Sequence, residues 1–360
     1  MERALLRESV ERFVSRSYDI EGRNALVRGT PGYSTVHWAT FAELGWLAIL
    51  IPESLGGIGA PFADAAQLLE AFGYGLLLEP FASTVVLSGT LLADGAASPA
   101  AAAALEALGE GRAQIATAYR GDATRLARVD GGLAIDGMKS GVPFAASADK
   151  FIVSVRDERD AQALVLVDRD VPGITVDERV ATDGSRAARV GFSRVRVTDD
   201  ALLPLGDAAG SLERALDRAD AALCCEAVGV MARAYRDAAA HVRERVQFGK
   251  PIATFQVVRH RIADMFVELE LARAAAAFAA AAIDDEGERA RRVSMAKIQI
   301  IRSGRFVCEN AVQLHGAIGI AAEHASAHAL ARITGIASTF GDLIFHRRRY
   351  LRTTPEGTTL

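Results

Sequence analysis

The chain has 360 residues, of which 50% are hydrophobic and 24% charged. It therefore carries enough apolar side chains for two or three packed units, and its composition excludes a disordered protein. The net charge of −4 excludes the basic field expected of a nucleic-acid-binding protein. Three cysteines are too few for a disulfide framework, which indicates a reducing compartment.

The N-terminus does not predict export or membrane insertion. Residues 1–19 are charged from the second position and have no apolar core of a secretory signal. No run approaches the roughly 18 apolar residues of a membrane span, since the alanine-rich stretch 100–108 is interrupted by Glu106. We expect a soluble, cytoplasmic protein.

Residues 1–114 are predicted to form a helical domain. Leu5, Val10 and Phe13 recur near helical spacing, and the stretch 65–72 repeats the pattern. The glycines of segment 56–59 lie between these stretches. Because this segment has neither a preceding strand nor a Lys-Ser/Thr pair, a helix connection is favoured over a phosphate loop.

Residues 115–207 are predicted to form a β-domain. Short β-branched runs at 151–155, 163–167 and 190–197 are separated by glycine turns. This spacing favours a small β-sandwich or barrel over alternating βαβ units, and no G-x-G-x-x-G follows a strand.

Residues 208–352 are predicted to be helical again, followed by a tail at 353–360. Three long segments without internal proline, Leu212–His241, Gln256–Ile283 and Arg291–Leu314, predict a four-helix-bundle domain of a kind often shared with another subunit. The predicted fold class is therefore mainly α with a central β-domain.

Two motifs in the last part are the most specific features of the chain. The segments 245–252 (Arg-Val-Gln-Phe-Gly-Lys-Pro-Ile) and 313–319 (Gln-Leu-His-Gly-Ala-Ile-Gly) resemble the two flavin-contacting motifs of the acyl-CoA dehydrogenase family. In that family they hold the FAD of a neighbouring subunit. The cofactor contacts that the resemblance implies are Arg245, Gln247, Phe248, Gln256, Gln313, Leu314, His315, Gly316 and Ala317.

The residue types agree with this role. Arg245 offers a permanent fork of donors suited to a pyrophosphate, and Gly316 lets the backbone approach a nucleotide closely. Phe248 and Gly249 are expected to end one long helix, and Pro251 to prevent its continuation. Taken singly, Arg245 has the alternative of an ordinary surface charge, and Gly316 that of a helix cap.

The family's other flavin contacts do not match this chain. Its flavin ring is held within the same subunit by a segment that reads roughly Thr-Glu-Pro and then Gly-Ser-Asp. The corresponding stretch here is 115–122, which contains only Thr117 as a remnant.

The family's catalytic base, a glutamate that removes the α-proton of the acyl-CoA, does not match either. Phe340 stands at the usual position and Ala219 at the alternative one. We therefore predict no catalytic residue in this chain, with Asp220 and Asp342 as weak candidates. Asp342 has the alternative of a helix cap, and Glu226 is expected to be structural.

This pattern resembles the non-catalytic subunit of heteromeric (α2β2) steroid acyl-CoA dehydrogenases. It implies an FAD-dependent α,β-dehydrogenation of an acyl-CoA, with a homologous subunit that supplies the base. The expected electron acceptor is an electron-transfer flavoprotein or a similar protein. The alternatives are a homotetrameric dehydrogenase with a relocated base and a non-enzymatic homologue that binds no flavin.

Overall fold

The computed structural model describes residues 3–121 and 124–354, and of Arg3 and Ala4 only the backbone. It is mainly helical with one large sheet, which confirms the predicted fold class. Among the described helices, none combines the length and the apolar character that crossing a membrane requires.

The chain forms two compact units, each assembled from separate segments. The first contains residues 1–25, 62–77 and 220–360, and the second contains residues 26–61 and 78–219. These units group segments by contact and not by chain order, so the predicted boundaries at 114, 207 and 352 stay a prediction.

The second unit contains a seven-stranded sheet. Its strands are β1 (Ile115–Ala118), β2 (Arg125–Val129), β3 (Gly132–Pro143), β4 (Lys150–Arg156), β5 (Gln162–Asp168), β6 (Ile174–Val180) and β7 (Arg186–Val197). They are ordered β1-β4-β2-β3-β7-β6, with β5 paired to β4. Only β1 and β2 run parallel to β4. The core of the sheet is apolar and includes Phe151 and Phe192, whose rings meet edge to face with centroids 6.5 Å apart.

The N-terminal part is helical, as predicted. Its α-helices are α1 (Arg3–Ser17), α2 (Ile20–Arg28), α3 (Thr35–Glu43), α4 (Phe62–Gly75), α5 (Gly89–Asp94) and α6 (Pro99–Gly109), with a π-helical segment at Phe81–Ser88. The glycine-rich segment 56–59 lies between α3 and α4, where it connects two helices.

The three predicted long helices are present. They are α7 (Ala208–Glu244), α8 (Gln256–Ala281) and α9 (Arg289–His315), followed by α10 (Ala325–Ile336) and α11 (Leu343–Thr353). Within the first unit, α9 packs against α8, α10 and α11. The predicted tail begins one residue too early, since Thr353 belongs to α11, and residues 355–360 lie outside the described part.

Close packing of α4 on α7 requires glycine. A Cβ at Gly73 would lie 1.8 Å from the Glu226 carbonyl oxygen, and one at Gly229 would lie 1.8 Å from the Glu70 carbonyl oxygen. Any side chain there would force the helices apart, because such distances are far below van der Waals contact.

The three cysteines are free and buried. Burial raises the pKa of Cys224 to about 12 and shifts the pKa of Cys225 in the same direction. These thiols therefore stay protonated near neutral pH and are unsuited to nucleophilic chemistry.

Candidate flavin site

The first motif forms a β-hairpin. Helix α7 ends at Glu244, not at Phe248 and Gly249 as the sequence predicted, and Val246–Gln247 pairs with Lys250–Pro251. Phe248 (φ 54°) and Gly249 (φ 77°) occupy the two central turn positions. Positive φ at both positions gives the mirror-image turn that suits a two-residue hairpin, and a glycine at the second position was the available signal.

The side chains of this hairpin point outward. Arg245, Gln247 and Gln256 are exposed, and 91% of the Phe248 surface is accessible. The Arg245 guanidinium makes neither a hydrogen bond nor an ion pair with any residue within 3–121 or 124–354. Gln247 donates through Nε2 to the carbonyl of Val246 (2.8 Å). The Arg245 guanidinium therefore remains available to a ligand outside the chain.

The second motif is the C-terminal end of α9. Gly316 ends the helix with φ 69° and ψ −145°, and its N–H reaches the carbonyls of Gln313 and Val312. Such a backbone conformation favours glycine, so the helix-cap interpretation of Gly316 is correct. The Gln313 side chain and the backbone at Gly316 and Ala317 are exposed, and Leu314 is half-buried.

His315 differs from its neighbours because it is buried. Its ring contacts the rings of His241 and His324 in tilted arrangements, with centroid distances of 4.5 and 4.3 Å. His241 lies one helical turn before Arg245, whose N–H donates to the His241 carbonyl. The structure therefore brings the ends of α7 and α9, and with them the two motifs, to one place within the first unit.

The segment expected to hold the flavin ring has no outward donor in its strand. All four residues of β1 are buried, and the hydroxyl of Thr117 lies 2.8 Å from that of Ser88. Thr117 is thus a core residue of its unit, which argues against its role as a remnant flavin contact. Asp122, the end of this segment, lies outside the described residues.

Asp220 lies in a buried charged network between helices. Its Oδ1 is 2.5 Å from Lys297 Nζ, and its Oδ2 is 3.4 Å from Nε2 of His346. Lys297 also donates to the Thr339 carbonyl (2.9 Å). All three side chains are almost completely inaccessible, so Asp220 acts structurally as the counterion of a buried lysine.

Lys297 links both segments where the family places its base. Asp220 follows Ala219, the alternative position, and Thr339 precedes Phe340, the usual one. Phe340 is buried with φ 62°, so the usual position carries an apolar side chain within the core. The sequence analysis missed Lys297, because a lysine within a charged helix gives no signal of burial.

Two further carboxylates have structural partners. Asp342 is the N-cap of α11, and its Oδ1 accepts the Phe345 N–H (2.7 Å). Glu226 accepts two hydrogen bonds from Arg332 (2.6 and 2.9 Å) in a bidentate pair, as expected for a structural residue. That neither Asp220 nor Asp342 acts as a catalytic base stays a prediction.

These residues fit one half of a flavin site. Arg245, Gln313 and the Gly316–Ala317 backbone offer a charged fork, an amide and backbone polar groups at an exposed surface, which suits the pyrophosphate end of FAD. The buried β1 strand offers no outward side chain to the ring of the flavin, and the Asp220 carboxylate is paired within the core.

The chain belongs to the acyl-CoA dehydrogenase family, a family of FAD-dependent oxidoreductases. Residues 1–98 match the acyl-CoA dehydrogenase N-terminal domain, and residues 209–342 match its C-terminal domain.

The chain is similar to two curated relatives over most of its length. It is 31% identical to benzylmalonyl-CoA dehydrogenase of Aromatoleum aromaticum, with 79% of this chain and 80% of that protein covered. It is 29% identical to the acyl-CoA dehydrogenase IpdE2 of Mycolicibacterium smegmatis, with 90% and 89% covered.

Two solved structures share the fold. The ChsE4–ChsE5 complex from Mycobacterium tuberculosis aligns with a TM-score of 0.90 at 22% identity, over 99% of this chain and 98% of that one. A variant of the Tcur3481–Tcur3483 steroid ACAD aligns with a TM-score of 0.88 at 24% identity, over 98% and 97%.

Proposed function

We propose that this chain is the non-catalytic subunit of a heteromeric acyl-CoA dehydrogenase. It contacts the FAD of a homologous subunit through Arg245, Gln247, Phe248, Gln256 and the Gln313–Ala317 segment. The observation that carries the proposal is the contrast between the exposed polar groups of the two motifs, such as Arg245, and the buried, internally paired Thr117 and Asp220.

Each contact has a physical part in this assignment. Arg245 pairs with a phosphate by a bidentate hydrogen bond, and the side chains of Gln256 and Gln313 complete the polar contacts. The exposed Phe248 ring offers an apolar surface that the assembly covers. The bound FAD supplies the hydride acceptor for α,β-dehydrogenation of an acyl-CoA thioester.

The partner supplies what this chain lacks, namely the contacts to the flavin ring and the carboxylate base. The heteromeric arrangement is supported by the similarity to the ChsE4–ChsE5 complex. A steroid-derived acyl group is supported by the resemblance stated above and by the Tcur3481–Tcur3483 structure. An electron-transfer flavoprotein or a similar cytoplasmic acceptor would receive the electrons.

The test compares turnover by this chain alone with turnover by the co-expressed pair. The partner is the homologue with an intact Thr-Glu-Pro segment and glutamate, and a soluble dye serves as the electron acceptor. We expect acyl-CoA oxidation by the pair and none by either chain alone. Turnover by this chain alone would support the homotetramer instead, and a colourless, inactive pair would support a structural homologue.

A further inference from the structure

Four histidines cluster where the two motifs meet. His241 lies in the last turn of α7, His315 ends α9, and His324 and His328 lie at the start of α10. The histidine cluster therefore surrounds the segment 316–323, which begins with two of the proposed flavin contacts. No group of three metal-binding side chains within the described ranges is suited to hold a metal ion, so the cluster needs another explanation.

Two of the rings must accept hydrogen bonds. Nδ1 of His324 accepts the Ser326 N–H (3.2 Å) and so caps α10. Nδ1 of His328 lies 2.9 Å from Nη1 of Arg23, and Nε2 of His328 lies 2.7 Å from the Ala322 carbonyl. Arginine can only donate and a carbonyl can only accept, so His328 is neutral with its proton on Nε2.

The other two rings, of His241 and His315, contact each other at a tilt of 35°. His315 donates from Nδ1 to the Ala311 carbonyl (2.8 Å), and its ring lies between those of His241 and His324. Protonation of any two adjacent rings would place like charges about 4.5 Å apart in a partly buried site.

The segment is tied to its own unit through these contacts. The Ala322 carbonyl accepts from both His328 and the Asn24 amide (2.7 Å). Gly319 is packed so closely that a Cβ would lie 2.7 Å from the Val312 carbonyl oxygen. The end of the segment is thus tied to His328 through the Ala322 carbonyl and is followed by the His324 cap, which requires an unprotonated Nδ1.

We propose that the histidine cluster is a positioning device that fixes segment 316–323 beside Arg245 only while His324 and His328 are uncharged. The inference deepens the proposed function and rests on it for the identity of the ligand. His241, His324 and His328 are positioning residues, since they act through the segment and not on the flavin itself.

The surroundings of His241, His324 and His328 favour their neutral forms. Burial lowers the pKa of His241 and of His324, and the neighbouring His315 shifts both further in that direction. Burial also lowers the pKa of His328, although its hydrogen bond to the Ala322 carbonyl acts in the opposite direction. The charged groups that act on the cluster are Arg23, Arg233, Asp237, Glu244 and Arg245.

The sign of the pH dependence follows. A histidine with a lowered pKa in the folded state contributes stability that is complete above its unfolded value and is lost as the pH falls through the folded value. The segment is therefore fixed above about pH 6.5 and loosens below it.

The test is hydrogen exchange of segment 316–323 in the full chain at pH 7.5 and 5.5, corrected for intrinsic exchange rates. We expect wild-type protection to fall by up to about tenfold at the lower pH, the limit for one proton bound over the pH unit below 6.5. His324→Asn keeps an acceptor for the α10 cap but cannot be protonated, so its loss should be clearly smaller. His324→Leu should be poorly protected at both values.

The control is His260→Asn, which removes an exposed histidine outside the cluster and should retain the wild-type pH profile. Equal wild-type protection at both pH values would overturn the proposal. A loss of protection in His324→Asn as large as that in the wild type would overturn it as well.

A second readout measures FAD release from the co-expressed pair by flavin fluorescence at the same pH values. We expect release to increase at pH 5.5 in the wild type and less in His324→Asn. If hydrogen exchange of the segment changed with pH and FAD release did not, the link between the segment and the flavin would be overturned. A pair without flavin at any pH would contradict the proposed function, while the exchange result would still decide whether the device exists.

Discussion

Two regions of the first unit treat their polar groups in opposite ways. The surface formed by the hairpin and the end of α9 leaves Arg245 and Gln313 exposed, without internal partners among the described residues. In the core around Lys297, the buried Asp220 carboxylate forms an ion pair with the lysine and lies 3.4 Å from Nε2 of His346. The first region can bind a ligand that lies outside the chain, while the second stabilises the fold.

The largest loss of stability is expected from a substitution of Lys297. Lys297→Met leaves the Asp220 carboxylate buried without its main counterion, which should cost about 3–5 kcal/mol of the free energy of unfolding. The measurement is urea unfolding followed by circular dichroism. The double variant Lys297→Met, Asp220→Leu should recover most of this loss, since it removes both charges.

Lys150→Ala is the matched control. It removes a surface pair with Asp168 and should cost less than about 1 kcal/mol. If the single Lys297 variant were as stable as the control, Asp220 would not be committed to the core and would return as a candidate base.

Arg245→Ala should weaken FAD binding and leave the stability nearly unchanged. Because the guanidinium has no described internal partner, stability should change by less than about 0.5 kcal/mol. The affinity of the pair for FAD should fall about 10- to 100-fold, through loss of a charged hydrogen bond. Isothermal titration of the FAD-stripped pair measures it.

Arg243→Ala removes a neighbouring exposed arginine and should leave the affinity unchanged. Arg245→Lys should restore it only in part, because an ammonium group cannot bind bidentately. Equal losses of FAD affinity in Arg243→Ala and Arg245→Ala would show that Arg245 acts only as a general surface charge.

Thr117→Val tests the buried strand. Loss of the hydroxyl that faces Ser88 should cost about 1 kcal/mol of stability, and the flavin content of the pair should not change. The thermal midpoint and the flavin absorbance of the same sample report both quantities. Loss of flavin with unchanged stability would restore Thr117 as a cofactor contact.

The smallest effect is expected at Asp342. Asparagine is as good an N-cap as aspartate, so Asp342→Asn should change stability by less than about 0.5 kcal/mol. Turnover by the pair should be unchanged. A large loss of turnover at preserved stability would identify Asp342 as a relocated base.

Much of this architecture could be predicted from sequence because helices and strands have distinct periods. The apolar pattern gave α7, α8 and α9 to within four residues at each end, and the β-branched runs gave β4 and β5. The hairpin at 246–251 was missed because the helical pattern of α7 continues up to it, and tertiary contacts decide where such a helix ends.

The site was only partly predictable for a related reason. The motifs located Arg245 and Gln313, whose roles depend on exposure. The partners of Asp220 and His315 lie 77 and 9 residues away in the sequence, at Lys297 and His324. No local pattern reports that these side chains meet, so burial and pairing had to come from the structure.

The most direct test of the account is the flavin content of this chain, purified alone and after co-expression with its homologous partner. The account predicts a colourless chain alone and a yellow pair with about one FAD per unlike pair of subunits. Stoichiometric FAD in the chain alone, together with oxidation of an acyl-CoA, would contradict it.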